Sequence, residues 1–270
     1  MIDAVAALSV GLVRTLNEDG VFVGDRVVVV ADGMGGHAAG DLARDIVLAA
    51  LAAVDHEGAT AVDVRSAVGA ANATILEHAN THPEQAGLGT TVCGALLIEA
   101  DEGARWLVFN VGDSRAYLWH EAQLLRITRD HSEVQELVDA GVLTDTQART
   151  APNRNVITRA VGQLPPPVVD FFTVPAGRGE LLLLSSDGLT SELDDDEIRR
   201  IVAGQGDRSR LAGDLVAAAE AAGGQDNISV IVACVSGGAV ELVAQDVEDL
   251  GGRSRSTTVP RDLVAREVIT

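Results

Sequence analysis

Aspartates stand at the ends of four apolar runs: VVVVADGMGGH (27–37), WLVFNVGDSRAY (106–117), LLLLSSDGL (181–189) and GGQDNISVIV (223–232). Asp32, Asp113 and Asp187 each adjoin a glycine, and Asp226 is the fourth. Such runs read as buried strands, so carboxylates from four distant places are delivered to strand ends. That donor set suits Mg²⁺ or Mn²⁺, which take oxygen ligands in near-octahedral geometry and keep several waters. A few Asp side chains and a backbone carbonyl suffice. Glycine after Asp32 lets the chain turn sharply and approach an ion, which makes the Gly33 carbonyl a candidate ligand. The chemistry implied is metal-dependent hydrolysis. A competing reading, in which Asp-Gly only makes a tight turn, accounts for one such pair. It does not account for four, with Arg14 and Asn17-Glu18-Asp19 upstream. Zinc fits less well, since the six His have no zinc-like spacing and Cys93 and Cys234 each sit inside an apolar run.

The elements that must position these residues alternate along the chain. Strands are expected over 4–12 and 20–31, the latter ending at Asp32. An i, i+3/i+4 apolar stripe from Ala39 to Val54 predicts a helix over 38–54. A second helix is expected at 61–79, then strands at 90–99, 104–111 and 115–119, the middle one delivering Asp113. Residues 133–140 read as helical and 144–150 as a polar stretch. Strands at 168–174 and 180–185 lead to Asp187. Helices at 194–203 and 208–222 precede Asp226 and a last strand at 227–235. Strands that outnumber helices and come in hairpin-like pairs predict an antiparallel sheet core with helices outside, an α+β fold.

Composition bounds the function. The chain has 270 residues, 47% of them hydrophobic, enough for one sizeable core, and no Pro/Ser-rich linker separates the aspartates. A formal charge of −20 and the absence of lysine argue against nucleic acid, whose backbone is bound through Lys and Arg. Part of that charge is expected to be offset by bound cations. No segment reaches the roughly 18–20 uncharged apolar residues of a membrane span. The start has Asp3 and no basic region, and reads as a strand and not a signal peptide. Two thiols in core-like runs suggest a reducing, cytoplasmic setting. Nothing such as a heptad repeat suggests an obligate oligomer, so a monomer is expected. From about residue 236 the chain turns to Gly-Gly breaks, an acidic patch and RSRSTTVPR. It reads as a flexible tail, or else as a regulatory one modified at Thr257 or Thr258.

The segments SVGLVRTLNED (9–19), VADGMGGH (30–37), GLGTTV (87–92), NVGDSRAY (110–117), TRDHS (128–132), NVITRAVG (155–162), SSDGL (185–189) and GGQDNIS (223–229) stand in the order seen in the metal-dependent, protein phosphatase 2C-like family. They are most similar to its bacterial branch. The resemblance covers roughly residues 3–235 and implies a catalytic domain over 1–236. Its fold would be a sandwich of two antiparallel sheets between helical layers. It implies serine/threonine phosphoprotein phosphatase activity, by direct attack of a hydroxide held between two Mn²⁺ or Mg²⁺ ions. Mapped residue by residue, Asp32 would bridge both ions, the Gly33 carbonyl would bind one, and Asp187 and Asp226 the other. Glu18 and Asp19 would orient metal-bound waters, and Arg14 would clamp the phosphate. Asp113 would bind a third, looser ion with the backbone at Asn155 as partner, and residues 133–154 would form a substrate-selecting flap. Phosphoserine and phosphothreonine proteins, and a bacterial Ser/Thr kinase whose work is reversed, are the implied partners.

The sequence departs from the family at one place. Many eukaryotic members have histidine two residues after the bridging aspartate, read as the proton donor to the leaving group; here that position is Met34. A metal-bound water is the expected donor instead, with His37 the alternative. His131 is expected to be a structural histidine. Two other functional readings stay open: a phosphatase dedicated to one regulatory protein, of the anti-sigma antagonist type, and a non-catalytic phosphoprotein-binding relative. The first usually carries sensor domains, and the second should have lost a metal aspartate, whereas all are present.

Overall fold

A computed structural model describes residues 1–35, 39–100, 103–177 and 179–235; the tail from 236, with Thr257 and Thr258, and His37 lie outside the described residues. In chain order the elements are β1 (Ile2–Ser9), β2 (Asp19–Val23), β3 (Val27–Met34), α1 (Ala39–Ala52), α2 (Ala61–Thr81), β4 (Gly89–Thr90), β5 (Val92–Ala100), β6 (Gly103–Val111), β7 (Arg115–His120) and β8 (Gln123–Arg126). There follow α3 (Glu133–Asp139), α4 (Asp145–Thr150), β9 (Asp170–Pro175), β10 (Leu181–Ser185), α5 (Asp187–Glu192), α6 (Asp195–Gly204), α7 (Arg208–Ala222) and β11 (Ile228–Val235).

Every ladder is antiparallel. One sheet runs β1-β11-β10-β7-β8 and the other β2-β3-β5-β6-β9, with β4 on β3. Val27 to Val30 are fully buried because β3 is covered on both faces, which is why its sequence is continuously apolar and does not alternate. Val27 and Val29 pack under α1 and α2 with Val47, Leu51, Val68 and Ile75. Val28 and Val30 fill the seam between the sheets with Leu182, Leu184 and Ile231. On the far side Leu183, Val230 and Val232 meet Ile198, Leu211 and Leu215 of α6 and α7. Three apolar layers therefore separate helices, sheet, sheet and helices, as expected.

The strand expected over 20–31 is a hairpin, β2 and β3, whose turn is closed by Asp55, which accepts from the backbone N–H groups of Asp25, Arg26 and Val27. The polar stretch at 144–150 is a helix. Thr144 and Gln147 form a capping box there, so local capping makes a helix without an apolar stripe. The short strand β8 and the helix α5 were not foreseen. Ser186 precedes α5 at its N-cap position with extended backbone, which turns a strand ending in Ser-Ser-Asp straight into a helix.

Candidate metal and phosphate site

Strand periodicity places the central carboxylate. Val28 and Val30 face the seam, so Asp32, two residues further, falls on the same face at the end of the strand. Asp19 is its direct partner across the β2–β3 ladder and shares that face. Asp32 is pinned by three backbone bonds: its N–H donates to Thr91 Oγ1 at 3.0 Å, and its carbonyl accepts from Thr91 N and Thr90 Oγ1, both at 2.9 Å. The GTT motif thus locks the Asp32 backbone. Thr91 Oγ1 also reaches Ser114 Oγ at 2.8 Å, next to Asp113.

Close backbone approach explains the glycine after Asp32. A Cβ on Gly33 would lie 2.1 Å from the Gly40 carbonyl oxygen, and one on Gly40 would lie 2.6 Å from Glu18 Oε1. The first turn of α1 can therefore sit against β3, with the Glu18 carboxylate beside it. A negative group at a helix N-terminus is favourable.

The other carboxylates arrive from the second sheet and its loops. Asp187 opens α5 and Asp226 precedes β11. Asp32 and Asp187 stand close enough to share a hydrogen bond when one is protonated. Burial raises the Asp32 pKa well above the usual carboxylate range, and repulsion from Asp19, Asp187, Asp113 and Asp226 adds to it. Asp187 is pushed up to about 6 by burial and by Asp226. Asp19 is pushed up to about 7 by burial, partly offset by the Ser186 hydroxyl, which donates to its Oδ2 at 2.7 Å. Ser229 Oγ lies beside Asp19 but makes no hydrogen bond of good geometry. Asp113, on the turn after β6, is raised by burial and by Asp187 and Asp130. Asp19, Asp32, Asp113, Asp187 and Asp226 therefore form one electrostatic cluster.

Among the described residues no three or more His, Cys, Asp or Glu side chains are placed together so that they could hold a metal ion. The fit to Mg²⁺ or Mn²⁺ is one of donor chemistry: the clustered groups are all oxygen donors, and a hard cation that keeps most of its waters needs few protein ligands. A recess of about 690 Å³ lined by Ile2, Asp3, Phe22, Asp25 and Asp55 opens at the other end of these strands, away from the cluster.

Arg14 pairs with Asp226, Nη2 to Oδ2 at 2.7 Å, and its side chain is 51% exposed. The pairing raises the guanidinium pKa. One contact leaves further N–H donors of the five for another anion. Asn155 is exposed in the turn at 152–155 and makes no hydrogen bond to the cluster among the described residues. His131 clamps the turn that carries Asp113: its backbone N–H donates to the Gly112 carbonyl, and its Nδ1 accepts from Gly112 N, both at 3.0 Å. Nε2 of the same ring lies 2.9 Å from Arg159 Nη1 and 3.3 Å from Asp170 Oδ2. The expected structural role is what the contacts describe.

Sequence reading missed two further supports. Asn227 is buried; its Oδ1 accepts from Glu18 N at 2.9 Å and its Nδ2 donates to the carbonyls of Val10 and Leu16, both at 2.9 Å. Arg44 of α1 donates Nη1 to the carbonyls of Asn17 and Asp19, both at 3.0 Å, bracketing Glu18. An Asn after the aspartate was a signal for the first; an arginine in a helix carries none. Arg44→Met, which leaves both carbonyls without a charged donor, is expected to cost about 1–3 kcal/mol of folding stability in urea titrations. An unchanged midpoint would show that solvent replaces the contact.

Two antiparallel sheets stacked between helical layers, with an acidic cluster at one end of their seam, mark a phosphatase-type α+β architecture. The profile of the family described as Protein phosphatase 2C matches residues 15–221, and the chain belongs to that family. It is 38% identical over 229 residues to the serine/threonine protein phosphatase PstP of Mycobacterium tuberculosis, covering 83% of this chain and 43% of that protein. The chain thus spans less than half the length of that relative. Identity to the serine/threonine phosphatase stp of Listeria monocytogenes is 35% over 234 residues, covering 82% and 91% of the two chains. A crystal structure of the catalytic domain of serine threonine protein phosphatase PstP in complex with two manganese ions superposes with a TM-score of 0.77 at 35% identity, covering 86% of this chain and 97% of that one.

Proposed function

We propose that the protein is a serine/threonine phosphoprotein phosphatase that hydrolyses phosphate monoesters with two divalent cations, Mn²⁺ or Mg²⁺. The observation that carries this is the cluster of five mutually repelling carboxylates at one end of the sheet seam, beside a half-exposed arginine. Uncompensated, those charges oppose one another; cations are the natural counterpart.

In this reading Asp32, the Gly33 carbonyl, Asp187 and Asp226 would hold the cation pair, and Asp113 would hold a looser third ion with Asn155. Bound there, the ions would supply Lewis acidity that activates a water as nucleophile and positive charge that offsets the phosphate. Glu18 and Asp19 orient waters of the site, and the pinned Asp32 backbone fixes where the pair sits. Arg14 exchanges part of its contact with Asp226 for the phosphate oxygens, to which a guanidinium donates in a fork. Met34 ends β3 and has no proton to give, so the proton for the departing alkoxide is left to a water of the cation site. Helices α3 and α4 form the substrate-selecting flap over 133–154; Arg149 of α4 donates to the Thr190 carbonyl of α5 at 3.1 Å, which ties that segment to the helix opened by Asp187.

No helix of the described residues is long and apolar enough to cross a membrane, and Cys93 and Cys234 are free and buried. Free buried thiols support a reducing, cytoplasmic setting; we place the enzyme there as a monomer in signal transduction, opposite a Ser/Thr kinase. The test is phosphate release from a phosphothreonine peptide and from p-nitrophenyl phosphate with Mn²⁺; no release from either would overturn the reading. Arg14→Ala is expected to raise KM and lower kcat/KM by roughly 2–4 kcal/mol, the size of a lost charge-assisted contact. Kinetics within about twofold of wild type would make Arg14 a surface residue.

A further inference from the structure

The loop 10–16 between β1 and β2 turns large apolar side chains outward around Arg14: Leu12, Val13 and Leu16 are 68%, 66% and 63% exposed. Neighbouring exposed apolar groups mark an interaction site more often than isolated ones do. The loop is not slack. Leu12 N donates to the Gly224 carbonyl at 2.6 Å, and Asn227 holds the carbonyls of Val10 and Leu16. Gly11, at φ +78°, sits so close that a Cβ would come within 2.2 Å of the Asp226 carbonyl oxygen. The fold therefore holds three apolar side chains in water on a rigid platform, anchored to the same segment that supplies Asp226.

Position identifies the occupant. A chain whose phosphate is gripped by Arg14 must cross the residues on either side of it. Around them stand carboxylates, Glu18 and Asp226 beside Arg14 and Glu220 under Ser9, and the chain carries a formal charge of −20. Acidic flanks are repelled, and apolar flanks find partners. We propose that Leu12, Val13 and Leu16 form a docking rim for the residues next to the phosphorylated one, and that it selects phosphoprotein segments with a large apolar side chain beside the phosphoserine or phosphothreonine. The proposal rests on the phosphatase reading and names its substrate class.

Two phosphothreonine peptides of equal length and charge test it, one with leucine on both sides of the phosphothreonine and one with serine. The wild type is expected to prefer the leucine peptide in kcat/KM by roughly tenfold, the worth of partly burying one aliphatic side chain, with the difference in KM. In the Leu12→Ser/Leu16→Ser double variant that preference should fall to within about twofold of unity, while kcat and KM for p-nitrophenyl phosphate, which has no flanking residues, stay at wild-type values. Equal wild-type use of both peptides, or a preference the double variant keeps, overturns the proposal. So does a wild-type dimer by sedimentation that the variant abolishes with peptide preference unchanged, since the occupant would then be a second copy of the chain. A wild type inert toward p-nitrophenyl phosphate with Mn²⁺ would instead sink the phosphatase reading itself.

Discussion

Asp32→Asn is expected to reduce Mn²⁺-dependent turnover of p-nitrophenyl phosphate by on the order of a thousandfold or more, and excess chelator should do the same to the wild type. Asparagine keeps the shape and the seam-facing position, and the three bonds that pin the Asp32 backbone do not involve its side chain. What it removes is the charge at the centre of the cluster and one of the two carboxylate oxygens that the proposed site would offer to cations. Asp187→Asn and Asp226→Asn should approach the same loss, since each holds a charge that acts on Asp32. Asp226→Asn also weakens the Arg14 ion pair, so its KM should move as well. Calorimetric titration with Mn²⁺ separates lost binding from lost chemistry. Full activity in excess chelator, or an Asp32→Asn enzyme within tenfold of wild type, would sink the two-metal assignment.

Without metal, Asp19→Asn is expected to be more stable than the wild type at pH 8, by about 2–4 kcal/mol, with the difference vanishing near pH 4. Asp19 is 3% exposed and its pKa is raised from the ordinary 3.8 to about 7, first by burial. A carboxyl raised on folding binds its proton more tightly in the folded state. Its favourable contribution is present below the unfolded pKa and is lost as pH rises through the folded one, here between about pH 4 and pH 7. Asparagine has no charge to bury and can still accept from the Ser186 hydroxyl. Saturating Mn²⁺ should remove the wild type's disadvantage, because cations offset the repulsion from Asp187 and Asp226. Melting curves of both proteins at pH 5 and pH 8, with and without Mn²⁺, decide it. A metal-free wild type that is the more stable of the two at pH 8 would contradict the assignment of Asp19 to the repelling cluster.

Residue type and strand period carried much of this protein by themselves. Continuous apolar runs meant strands covered on both faces, and period two puts Asp32 on the same face as Val28 and Val30, because side-chain direction in a strand is a local property; that this face is the seam between the sheets was decided by tertiary structure. The stripe from Ala39 to Val54 foretold α1 for the same reason at period 3.6. Oxygen-only chemistry with glycine at the turns pointed to a hard cation before any contact was known. Where the polar residues point was decided by tertiary structure alone. That Asn227 ties the loop of Arg14 to Glu18, that Arg44 reaches the carbonyls beside Glu18, and that Thr90 and Thr91 lock Asp32 depend on segments tens to hundreds of residues apart meeting in space. Hydrogen bonds of that kind leave no periodicity in the chain. The pKa values of Asp19 and Asp187 are likewise properties of burial and of neighbours the sequence keeps far apart. Helix α4 was hidden for the opposite reason: its capping box is local, but apolar spacing cannot register a helix that buries nothing.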